Sequence, residues 1–80
     1  MIDMMTRKPI AVKTDGGAGP YLDVVLDQLD KVVALFDANA IPHWVEEEAL
    51  SMDGGPAVIT VNLADRADPI LAQRVLDSIP

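Results

Sequence analysis

Residues 43–63 read His43-Trp44-Val45-Glu46-Glu47-Glu48-Ala49-Leu50-Ser51-Met52-Asp53-Gly54-Gly55-Pro56-Ala57-Val58-Ile59-Thr60-Val61-Asn62-Leu63. Two strand-like runs, 43–50 and 57–63, flank the turn signal Asp53-Gly54-Gly55-Pro56. The second run is rich in β-branched residues and nearly continuously apolar, which marks a central strand. A helix-like run comes immediately before this hairpin and another immediately after it. That order predicts a small α+β domain with an antiparallel sheet and both helices on one face.

Upstream, residues 21–39 carry two overlapping patterns. Leu22, Val25, Leu26, Leu29, Val32, Val33 and Phe36 fit a helix from Pro20 onward, while Leu22, Val24 and Leu26 alternate as a strand. We assign a strand to 21–26 and a helix to 27–39. Asp27 would be the N-cap and Asn39 the left-handed residue at the C-terminus, with Pro42 blocking continuation. Residues 8–13, Lys-Pro-Ile-Ala-Val-Lys, place Ile10 and Val12 on one face of an edge strand that Pro9 keeps at the rim. The glycine-dense turn Asp15–Pro20 would join that strand to 21–26. Downstream, Asp68-Pro69 is a cap followed by proline at the first helical position, and Leu71, Ala72, Val75, Leu76 and Ile79 form a buried stripe. The expected order is β-β-α-β-β-α, with strands arranged 1-2-4-3 in a ferredoxin-like two-layer sandwich. If 21–26 were helical instead, 8–13 would become the first core strand of a three-stranded sheet. Residues 1–6 read as a disordered tail and 7–80 as one domain.

The totals narrow the function classes. The chain has 80 residues, half of them hydrophobic, with one Trp, one Tyr and one Phe, so its core must be aliphatic. A domain this small buries about 60% of its unfolded surface and is marginal without staples. No cysteine is present, which excludes disulfides, thiolate catalysis and cysteine-based zinc sites and points to a reducing cytoplasm. Thirteen acids against six bases give a net charge of −7. Nucleic acids and anionic membranes repel such a chain, whereas basic proteins attract it. No apolar leader or membrane-length run stands out.

The segment Leu29–Ile79 resembles a group of small bacterial signal-transducing proteins with a PII-like, ferredoxin-like βαββα core. The residues that carry the likeness are Ala40-Ile41-Pro42 leading into a strand with Val45, then a second strand. Asp68-Pro69 follows, opening an amphipathic helix with Val75 and Leu76. The resemblance implies a fold and a regulatory role; it names no catalytic residue.

Few residues offer chemistry. Gly16, Gly17 and Gly19 could let backbone amides crowd an anion, making the loop a small-anion or nucleotide sensor. Yet Pro20-Tyr21 stand where a P-loop needs lysine and Ser/Thr, and Asp15 would repel phosphate. A hairpin turn is the ordinary reading. Glu46 and Glu48 share one strand face about 7 Å apart, with Glu47 opposite. A solvated, charge-protected edge explains all three, and a surface that docks a basic partner is the sharper reading. Trp44 shares the face of Glu46 and Glu48: a core residue is the ordinary reading, and on a solvated face it would be an interface anchor. His43 lacks a second His or a nucleophile motif and reads as a structural or surface residue. Met52 would pack over the hairpin end.

Expected, then, is an acidic, non-catalytic protein-interaction or regulatory module without cofactor or metal. It would use the sheet face carrying Tyr21, Val25, Val58 and Thr60, or a strand edge, toward a protein partner or a second copy of itself. An inhibitor or immunity-type protein that neutralises a basic toxin or nuclease is the alternative.

Overall fold

Alternation along 58–63 decides the architecture. In the computed structural model, which describes every residue except Gly16, Ala18, Met52 and Asp53, Ile59, Val61 and Leu63 turn to one side and are buried. This strand, β3 (Val58–Leu63), lies between β1 (Tyr21–Val25) and β2 (His43–Val45), antiparallel to both. Leu22 faces Val61 and Val24 faces Ile59 across β1–β3, while Val45 faces Val61 across β2–β3. Helices α1 (Leu29–Ala38) and α2 (Pro69–Asp77) bury Val32, Phe36, Ala72, Val75 and Leu76 in one cluster with Leu22, Val24, Val61 and Leu63. Both helices therefore back the same side of a three-stranded antiparallel sheet. No helix among the described residues is long and apolar enough to cross a membrane.

The helix ends follow local chemistry. The carboxylate of Asp68 accepts from the Ile70 amide at 2.9 Å, and Pro69 opens α2. Asp27 does not cap α1. A 3₁₀ turn over Leu26–Gln28 intervenes, and Gln28 takes the cap position without a side-chain bond. Nor does Asn39 adopt the left-handed conformation, having φ −108°; Ala40 does, at φ +53°. The Ile41 amide then reaches Phe36 O (2.9 Å) and the Ala40 amide reaches Asp37 O (3.3 Å). These are the two bonds of a Schellman ending, with Ala in the place glycine prefers. Asn39 instead donates from Nδ2 to Leu35 O.

Residues 8–13 are not a strand, so the β-β-α-β-β-α order loses its first member. Only Lys13 bridges to Tyr21, through paired bonds of 2.7 and 2.9 Å. The segment is held to α2 instead by Gln73, whose side-chain amide accepts from Val12 N (2.8 Å) and donates to Ile10 O (3.0 Å). In a ladder continued from the Lys13–Tyr21 pair these groups would point away from β1, so Gln73 docks the segment on α2 by its outer side rather than taking bonds that β1 would have used. Residues 1–6, expected as a loose tail, are folded back onto the domain. Met1 is buried and its ammonium bonds Leu76 O; Asp3 closes a turn, and Gln28 holds Met4 N and Ile2 O.

Candidate functional site on the uncovered sheet face

The side of the sheet away from the helices carries the alternate residues of each strand. Register places them in rows: Tyr21–Asn62–Trp44, then Asp23–Thr60, then Val25–Val58. Two further bonds extend the rows toward the β2 side. Glu46 N donates to Thr60 O (2.9 Å), and Leu50 exchanges bonds of 2.8 and 2.7 Å with Val58. Four residues thus advance on one strand where two advance on the other, so Glu47, Glu48 and Ala49 bulge from the rim. This is why the strand expected over 43–50 ends at Val45.

Trp44 is 53% exposed on this face, not a core residue, and Leu50, at the far row beyond Glu46, is 70% exposed. Trp44, Glu46, Glu47, Glu48, Leu50 and Thr60 line a groove of about 640 Å³. The four residues singled out in the sequence as a docking surface are therefore brought together. The middle of the face is polar and internally satisfied. Asn62 donates to Glu46 Oε1 (3.0 Å), Thr60 donates to Asp23 Oδ1 (2.9 Å), and Lys13 meets Asp23 Oδ2 at 3.2 Å. That hydrogen bond, with the charge of Asp23, holds the Lys13 ammonium above its ordinary pKa. Lys13 also lies 5.8 Å from the centre of the Tyr21 ring.

A second cleft, of about 280 Å³, is lined by Met5, Asp23, Leu50, Pro56, Val58 and Thr60 among others. Met5, Leu50 and Asn62 were not singled out in the sequence. The signal for Asn62 was present, since alternation from Thr60 puts it on the same face. Leu50 depends on the bulge and Met5 on the folded-back arm, neither of which periodicity reveals. Val25, expected among the accessible residues, is 2% exposed.

The glycine loop gains nothing comparable. Gly16 lies outside the described residues, Gly17 is exposed, and Gly19 sits at φ +100°. The loop runs into a strand rather than a helix N-terminus, and Asp15 accepts from Tyr21 Oη at 3.3 Å. The Met52 contact and Asp53 of the hairpin turn also lie outside the described residues. His43 is on the helix side, edge-on to Phe36 at 5.5 Å, with Nδ1 2.9 Å from Ile41 O. Among the described residues no three His or carboxylate groups converge as a metal site.

No protein-family model, curated protein or solved structure matches this chain.

Proposed function

We propose that this chain is a non-catalytic protein-interaction or regulatory module that engages a partner through the uncovered face of its sheet. The observation that carries the proposal is Trp44, the single tryptophan, half exposed on a face where three side chains of the rim are glutamates. Tryptophan at the centre of a docking surface supplies large contact area at low entropic cost, and interface anchors are enriched in it. Surrounding carboxylates select for basic partners and speed their approach. An inhibitor-type role toward a basic toxin or nuclease is the form of this proposal that the net charge of −7 favours. The βαββα order with β3 central supports a ferredoxin-like kinship as part of the same proposal.

Affinity capture from the cells of origin tests it, with three baits checked for folding by circular dichroism. Wild type and an Ile70→Ser variant, altered on exposed α2, should retain a common partner. A Trp44→Ser/Leu50→Ser variant should lose it. Equal retention by all three baits would refute the proposal.

A further inference from the structure

Resting on that use of the uncovered face, we propose that its occupant is a basic amphipathic helix of a partner protein, lying along the strands. Its apolar side chains would sit on the Trp44–Tyr21 row and on the Leu50–Val58 row, with a lysine or arginine between them over Glu46.

The strand edges leave little room for β-augmentation. The Tyr21 end of β1 is already paired with Lys13, and β2 offers three residues before the glutamate bulge. An extended peptide laid flat on the face would bury backbone N–H and C=O groups without partners, whereas a helix satisfies its own. Three strands spaced about 4.8 Å apart match the width of one helix, about 10 Å.

The row spacing sets the pattern. Same-face residues on a strand are about 6.8 Å apart, so the three rows span about 14 Å. A helix rising about 1.5 Å per residue places positions i, i+4 and i+8 at intervals of about 6 Å, close to one per row. The outer rows offer the large apolar and aromatic side chains: Trp44 and Tyr21 on either side of Asn62 at one end, Leu50 and Val58, with Met5 lining the same cleft, at the other. The middle row is anionic. Asp23 is already matched by Lys13, so the charge open to a ligand is that of Glu46, engaged by Asn62 at Oε1, with exposed Glu48 beside it. A second copy of the chain is a poor occupant, because each copy carries −7 and would present the same carboxylates.

Because Trp44 is the sole tryptophan, its emission reports on this face directly. The probe is a synthetic helical peptide of about four turns with Leu at i and i+8 and Arg at i+4. One twin carries Glu at i+4, and a second carries a central proline that breaks the helix. We expect a saturable blue shift of Trp44 with the Arg peptide, and binding weakened at least about tenfold, or roughly 1.4 kcal/mol, for either twin. Glu46→Lys should invert the preference between Arg and Glu peptides, and Leu50→Ser should weaken both. Equal binding of the Glu or proline twin would overturn the proposal, as would a face-dependent dimer of the chain alone in sedimentation. If the peptides leave Trp44 unshifted while the captured partner still depends on Trp44 and Leu50, the helical occupant is refuted and the face remains the docking surface.

Discussion

Replacing Gln73 by Met removes three hydrogen bonds at nearly constant side-chain volume. Two of them tie the arm to α2, through Val12 N at 2.8 Å and Ile10 O at 3.0 Å; the third reaches Asp77 at 3.0 Å. Each neutral bond contributes about 1 kcal/mol net, and the two backbone groups are partly buried, so their loss should cost about 2 kcal/mol. The Asp77 bond is exposed and adds little. In a domain of this size about 1 kcal/mol moves Tm by 4–8 °C, so the variant should melt about 10 °C or more below wild type. Thermal denaturation by circular dichroism gives the total, and hydrogen exchange locates it. The Val12 amide should lose more protection than the amides of β3, because the arm detaches before the sheet opens. The arm also carries Met5 and Lys13 to the uncovered face, so the same variant should weaken partner binding. A Tm within about 2 °C of wild type, with Val12 still protected, would refute the clamp.

Ala40→Gly should stabilise the protein by about 0.5–1 kcal/mol in urea titration, since it relieves a non-glycine residue at φ +53°. Asp68→Ala should cost about 1 kcal/mol by removing the 2.9 Å cap on Ile70 N. Leu50→Ser should leave stability within about 0.5 kcal/mol, whereas Leu22→Ala, fully buried, should cost about 2–5 kcal/mol, a contrast that denaturant midpoints read directly. Lys13→Met should cost less than about 1 kcal/mol at neutral pH, because both partners of the Asp23 pair are substantially exposed and solvent screens them. The Lys13 pKa is raised above 10.5 in the fold, so its contribution is complete at lower pH and fades as pH climbs through the folded value. Wild-type and Lys13→Met stability curves should therefore converge in strong alkali.

Elements whose burial is one-sided are legible in the sequence. The β-branched run ending at Leu63 is the central strand, Asp68-Pro69 opens the last helix, and Ala72, Val75 and Leu76 face the core. The strand assignment at 21–26 holds for Tyr21–Val25 because Leu22 and Val24 alternate inward. Misses came where a side chain from elsewhere intervenes. Gln73 anchors residues 10–12 to α2, and Gln28 with Asp3 organises a segment that looks tail-like in composition. Leu71 fits the apolar stripe yet is 40% exposed, since a short helix on a three-stranded sheet presents a narrower buried face than periodicity assumes, and Ile79, equally exposed, lies past the end of α2. Trp44, Glu46, Glu47 and Glu48 were visible as a group. Their face was not, because Trp44 fits either side of a strand until the β2–β3 register pairs it with Asn62.

Acrylamide quenching of Trp44 in the captured complex is the most direct measurement. With the indole sealed beneath a bound protein, its accessibility to quencher should fall several-fold relative to the free chain. A stably bound partner that leaves Trp44 as quenchable as before would show that binding happens somewhere other than the helix-free side of the sheet.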